Sequence, residues 1–233
     1  MISINNVSKA YRTRTGWNQV LDGVTLDILT GEKIGILGLN GSGKSTLLRL
    51  ICGVEYPDTG KISKDVRTSW PIGFAGGFVA TLTGRENTRF IARIYGSDPY
   101  EVEDFVNDFA ELDSYFDEPI RTYSAGMRSR LNFAVSLAMH FDCYLVDEAT
   151  ATGDRRFRDK YQEAFKNLQD DASVIMVSHQ ITTIQEYCRT VAILHEGKLT
   201  HFDDLDSGLD AYSRVGKGVK RITDHPRTKT GNA

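Results

Sequence analysis

Gly38-Leu39-Asn40-Gly41-Ser42-Gly43-Lys44-Ser45-Thr46 decides the fold. It follows an apolar run, Lys33-Ile34-Gly35-Ile36-Leu37, and opens a periodic segment that Gly53 stops. Strand, glycine-rich loop and helix form the context in which the G-x-x-x-x-G-K-[ST] pattern cradles phosphate. Its glycines let successive backbone N–H groups curl into an anion nest. The helix N-terminus adds the positive end of a dipole. In this pattern Lys44 neutralises β- and γ-phosphate charge, and the Ser45 hydroxyl is offered to Mg²⁺. Gly38, Asn40, Gly41, Ser42, Gly43 and Thr46 complete the cradle. A glycine-rich turn that binds nothing would not need sequence, spacing and context to agree. The loop alone does not separate a kinase, a GTPase and a transport ATPase, and no guanine-reading N-K-x-D occurs.

Working outward, Tyr144-Leu145-Val146-Asp147-Glu148 is an apolar strand ending in two carboxylates. Ligands of open α/β sheets gather at the carboxyl edge, which places Asp147 beside the loop as a Mg²⁺ ligand, direct or through water. Glu148, one residue on, is placed to polarise a water for in-line attack on the γ-phosphate. An acidic N-cap for the next helix explains one carboxylate, not the pair. His179 ends the next core strand, Ser173 to Val177, and is placed to contact the γ-phosphate and steady Glu148 and water. Read alone, it is a surface-loop histidine.

The remaining pattern predicts an α/β protein. ISINNVSKAY and VTLDI alternate, as strands of an antiparallel layer do. Continuous apolar strands between helices indicate a parallel sheet covered on both faces. Residues 83–140 are mostly helical, with Gly96, Pro99 and Pro119 as breaks, and too long for a single crossover. The expected layout is a core and β layer over 1–77 and 141–212, a helical subdomain over 78–140, and a basic arm over 213–233. A helix is predicted over 154–168, and Val191 to Thr200 reads as a hairpin.

Bulk properties narrow the class. In 233 residues, 40% apolar, the formal charge is −3, which lacks the basic excess of nucleic-acid binders. Cys52, Cys143 and Cys188 are far apart and odd in number, as buried thiols of a reducing compartment are. No leader pattern or bilayer-length apolar run occurs. The expectation is a cytosolic chain whose membrane role runs through a partner.

The order of these motifs resembles the ABC transporter ATPase family. Tyr123-Ser124-Ala125-Gly126-Met127-Arg128 looks like a variant of the signature L-S-G-G-Q, matching at Ser124 and Gly126. The resemblance implies that these two serve the γ-phosphate held by another subunit's loop; Ser124 also reads as a plain N-cap. It likewise implies that Tyr11 stacks on adenine, although a packed strand tyrosine fits that position equally. It gives Asp154 the role of the family's D-loop aspartate, one residue displaced. No glutamine occurs between Gln19 and Gln162, so the family's usual Q-loop residue is missing.

The expected place holds W-P-I-G-F-A-G-G-F and then L-T-G-R-E-N, similar to bacterial polysaccharide-exporter ATPases and closest to the capsular-polysaccharide group. The implied fold is a P-loop NTPase (RecA-like) core with an antiparallel β layer and an inserted α-helical subdomain. The implied activity is ATP hydrolysis with ATP and Mg²⁺ by a homodimer. It would sit on the cytoplasmic face of the inner membrane against integral-membrane permease subunits, and through them against periplasmic and outer-membrane export components. Polysaccharide and nucleic acid would not touch this chain. Arg85 and Glu86 are expected to line the docking groove. Exporters of O-antigen or teichoic acid, a soluble non-transport ABC ATPase and a P-loop kinase stay open.

Overall fold

Alternation of apolar and polar residues makes Ile2–Thr13 (β1) and Gly16–Ile28 (β2) an antiparallel ribbon, with Ile2, Ile4, Val7, Leu21, Val24, Leu26 and Ile28 buried on its inner face. The computed structural model describes residues 1–72, 77–147, 157, 160, 163, 164, 166 and 172–215. Next come Lys33–Leu37 (β3), the phosphate loop and helix α1 (Lys44–Cys52), closed by Gly53 in the left-handed region. Thr59–Lys64 (β4) joins the ribbon in the order β2-β1-β4. The predicted turn at 57–60 thus runs directly into a strand. A Cβ at Gly60 would lie 2.3 Å from Asn6 O, so only glycine brings the chain this close to β1.

Thr68–Ile72 (β5) opens the main sheet, and Pro71 within it gave no strand signal. The strand lies at the sheet edge, where a missing N–H is tolerated. Ser69 Oγ accepts from Leu145 N–H at 2.9 Å where the register slips. Helices α2 (Gly84–Tyr95), α3 (Pro99–Ala110) and α4 (Ala125–Ala138) follow, with short 3-10 turns at Asp113–Asp117 and Ile120–Thr122. Cys143–Asp147 (β6), Ser173–Ser178 (β7), α5 (Ile181–Tyr187), Thr190–His195 (β8), Lys198–Phe202 (β9) and α6 (Leu205–Val215) complete the chain order. Sequence patterning had not marked α6. Most of the predicted helix at 154–168 lies outside the described residues, as do 216–233.

The main sheet runs β5-β6-β7-β3-β8-β9, parallel except for the last pair. Its strands send alternate residues to opposite faces. Ile34, Ile36, Leu145, Ile175 and Val177 pack with Leu47, Leu48 and Ile51 of α1 and with the β1–β2 ribbon. Tyr144, Val146, Val174, Met176, Val191 and Ile193 pack on the other side with α4, α5 and α6. Two cores therefore clamp one sheet, and the C-terminal ends of β3, β6 and β7 finish level. Asp147 pairs with Val177, and Leu37 with Ser178.

The helical block has its own glue. Thr83 and Glu86 form a capping box at the start of α2. Arg85 and Arg89 both reach the buried Glu103, and Arg85 Nε also donates to Asp117 at 2.6 Å. The Arg85 and Arg89 guanidinium groups lie 4.9 Å and 5.3 Å from the ring centres of Phe116 and Tyr100. Of the two residues expected in a docking groove, Arg85 is half-buried and pairs with Glu103 and Asp117, while Glu86 is exposed and closes the capping box. Trp70 ties the block to the sheet: its Nε1 donates to Ser136 at 3.0 Å, and its ring meets Tyr95 and Phe141 edge-on.

Candidate nucleotide-binding site

The phosphate loop is shaped by what a side chain would strike. A Cβ at Gly38 would lie 2.4 Å from Ser42 Oγ and 2.7 Å from Leu194 O. Gly41 and Gly43 sit at φ 80° and 104°, in the left-handed region that favours glycine. Lys44 Nζ folds back over the loop and donates to Gly38 O at 2.7 Å and Leu39 O at 3.1 Å. Helix α1 starts here with no acidic residue in its first turn and no side-chain cap on its N–H groups. Ser42 Oγ is buried without a hydrogen-bond partner. Helix N-terminal N–H groups without a side-chain cap, a lysine and an orphaned hydroxyl within one turn fit an anion of phosphate type.

At the level strand ends, Ser45 Oγ donates to Asp147 Oδ2 at 3.2 Å. An alcohol and a carboxylate oxygen side by side are the hard donors that Mg²⁺ takes. His179 follows β7, with its backbone carbonyl accepting from Tyr212 Oη at 3.4 Å. A cleft of about 680 Å³ collects these groups: Tyr11, Asn40, Gly41, Gly43, Lys44, Ser45, Thr46, Asp147 and His179 line it together with Val20 and Gln180.

Val20 and Gln180 were not singled out in the sequence. Gln180 directly follows His179, a signal that was available. Val20 carried none, since it belongs to β2 and reaches the loop only through the fold, where its Cγ1 would stand 2.8 Å from a Cβ on Gly43.

Tyr11 enters the cleft from β1. Its hydroxyl donates to Glu55 and accepts from Arg49 Nη2 at 3.3 Å, while Arg49 Nε donates to Glu55 at 2.6 Å. Burial raises the Glu55 carboxyl pKa, but hydrogen bonds from Tyr11 and Arg49 outweigh it and hold the group below its usual range.

Ser124 and Gly126 do not line this cleft. Ser124 caps α4, accepting from Met127 N–H at 3.2 Å, and a Cβ at Gly126 would meet only Ser124 Oγ, at 3.9 Å. The preceding Tyr123 is buried, with its hydroxyl on Tyr115 O at 2.6 Å, and burial pushes its phenol up to about 12. Glu148 and Asp154 lie outside the described residues, as do 73–76 of the glycine-rich stretch. Among the described residues no cluster of His, Cys, Asp and Glu forms a further metal site, and no helix is long and apolar enough to cross a membrane.

Comparison with known proteins places these features in context. The ABC transporter family model matches residues 21–151. The chain is 48% identical to the capsule polysaccharide export ATP-binding protein CtrD of Neisseria meningitidis, over 92% of this chain and 100% of that one. It is 46% identical to the ATP-binding protein BexA of Haemophilus influenzae, over 93% and 100%. Among solved structures, the dimeric post-hydrolysis state of the ATP-binding cassette MJ0796 bound to ADP and Pi superposes with a TM-score of 0.76. It is 23% identical and covers 88% of this chain and 99% of its own.

Proposed function

The chain belongs to the ABC transporter family, and on that premise we propose that it is the ATP-binding, ATP-hydrolysing subunit of an exporter of capsular polysaccharide. The observation that carries this is the cleft where Ser45 and Asp147 meet under the phosphate loop, in a chain that aligns over 92% of its length with a capsule-export ATP-binding protein.

In this reading the triphosphate lies along the N–H groups of 38–46 with Lys44 between its β- and γ-oxygens. Binding draws the Lys44 ammonium off the carbonyls of Gly38 and Leu39 and gives Ser42 Oγ a partner. Ser45 and Asp147 would hold Mg²⁺, which would supply positive charge against the phosphate oxygens. Glu148 orients the attacking water as general base, and His179 steadies the γ-phosphate from the end of the neighbouring strand.

Ser124 and Gly126 stand apart from this chain's own cleft. That arrangement fits a head-to-tail homodimer in which the N-terminus of α4 and the D-loop Asp154 complete the partner's site. The unit at 78–140 would act as the moving helical subdomain, and the Ile72 to Phe78 stretch would pass its motion to integral-membrane permease subunits. Directly after that stretch, Arg121 N–H donates to Ala80 O and Ile120 N–H to Leu82 O, both at 3.0 Å. These two bonds tie residues 80–82 to the residues preceding Ser124. The chain would sit peripherally on the cytoplasmic face of the inner membrane, with the polysaccharide path in the permease.

The test is ATPase activity of the complex purified with its permease, with and without glycolipid-linked capsular polysaccharide. Stimulation by that glycolipid, abolished by Lys44→Ala, is expected. Hydrolysis that survives Lys44→Ala rules out the phosphate-loop assignment. Equal rates with unrelated glycolipids rule out the capsular substrate.

A further inference from the structure

Tyr11 stands on the antiparallel layer, whereas the phosphate loop stands on β3 and α1 of the main sheet. A small polar network joins them. Arg49 lies on α1, and its Nη2 reaches both Tyr11 Oη at 3.3 Å and Thr46 Oγ1 at 3.2 Å. Glu55 lies just past the end of α1, with its N–H on Arg49 O at 3.2 Å, and receives both the Tyr11 hydroxyl and Arg49 Nε. Lys9 Nζ, held by Asp58 at 3.0 Å and by Tyr56 O at 2.9 Å, lies 5.7 Å from the centre of the Tyr11 ring.

We propose that Arg49 and Glu55 are positioning residues for the nucleoside half of ATP. They fix the Tyr11 ring at the cleft wall and, through Thr46, hold it in register with the phosphate loop. This rests on the reading of the cleft as an ATP site. A tyrosine free to turn about χ1 and χ2 gives up that freedom when a base stacks on it. A ring already held loses little, so more of the stacking energy appears as affinity. The hydroxyl–carboxylate bond that holds it is charge-assisted and strong, and Arg49 keeps the carboxylate ionised and aimed. The same guanidinium touches Thr46 in the first turn of α1. One side chain therefore bridges base wall and phosphate cradle, on top of the packing of the two layers.

A merely structural network would affect phosphate and base alike, and this difference supplies the test. The full chain is titrated calorimetrically with ATP·Mg²⁺ and with inorganic tripolyphosphate. The variants are Glu55→Ala, Tyr11→Phe, which keeps the ring but removes the hydroxyl, and the double variant. The melting temperature of each is recorded without ligand. Each single change is expected to weaken ATP binding about threefold to tenfold. Tripolyphosphate affinity stays unchanged, and the double variant is no worse than either single one. Unchanged ATP affinity in Glu55→Ala overturns the proposal. So do equal losses for ATP and tripolyphosphate, or additive losses in the double variant. Failure of the unmodified chain to bind ATP would instead overturn the ATP-site reading, and the positioning role with it.

Discussion

Gly38→Ala tests the physical basis of the phosphate loop with a single methyl group. Its φ is ordinary, so the cost is contact and not backbone strain. The new carbon would stand 2.4 Å from Ser42 Oγ and 2.7 Å from Leu194 O, against about 3.4 Å for ordinary contact. Ser42 can rotate away. Leu194 O cannot, because it belongs to a fully buried residue of β8 that pairs with Leu199 of β9, in a strand held between β3 and β9. The loop itself must therefore retreat by roughly 0.7 Å at this point, an overpacking strain of about 1–3 kcal/mol. In a chain of this size that lowers the melting temperature by about 2–10 °C.

The larger effect is on function. The loop's N–H groups and the Lys44 anchor at Gly38 O move together, and a misplacement near 1 Å costs on the order of a hundredfold in rate. Steady-state ATPase assays should show kcat reduced about a hundredfold in a protein that still folds by circular dichroism. Wild-type kcat and ATP affinity in Gly38→Ala would refute the claim that the close approach of 38, 42 and 194 sets the donor geometry. Adding Ser42→Gly should restore little, because the backbone contact with Leu194 remains.

Glu148→Gln is expected to bind ATP with near-normal affinity but turn over very slowly, leaving a closed dimer visible by size-exclusion chromatography with ATP; a monomer with normal turnover sinks the base assignment. Glu103→Ala leaves Arg85 and Arg89 facing each other beside Phe116 and Tyr100 without their shared carboxylate. Breaking a buried pair costs about 3–5 kcal/mol, and the half-exposed arginines place this one at about 3 kcal/mol, read as a lower urea midpoint at unchanged m-value. Trp70→Phe removes the Nε1 bond to Ser136 and should cost about 1–2 kcal/mol, measured the same way.

The core was legible because its strands are buried on both faces. KIGIL, CYLVD and SVIMVS have no polar alternation to mislead, and each is followed by the residues that chemistry needs at the strand end. Two elements were hidden by residues that usually mean something else. Pro71 argues against a strand unless the strand lies at an edge, and edge position is a property of the whole sheet. Gly208 reads as a break in Leu205–Val215, yet it is there for contact: a Cβ would stand 2.1 Å from Val191 Cγ1, so glycine lets α6 lie close on β8.

The candidate site divides along the same physical line. Groups carried by the loop and the strand ends follow from chain position, since β3, β6 and β7 pair in parallel and finish level. Tyr11 comes from another layer, and its sequence neighbours, Ala10 and Arg12, say nothing about where its ring points. What fixes that ring is a helix residue and a turn residue more than thirty-five positions away. Arg49 and Glu55 look like ordinary surface charges at the end of α1, and a surface ion pair between them would contribute little. Their meaning depends on the phenol that completes the set, and only the packing of β1 over α1 supplies it. The Arg49 guanidinium is shared across the layers: its Nη2 donates to the phenol oxygen at 3.3 Å and its Nε to Glu55 at 2.6 Å. The interlayer contact turns a local ion pair into a three-residue set that spans β1 and α1.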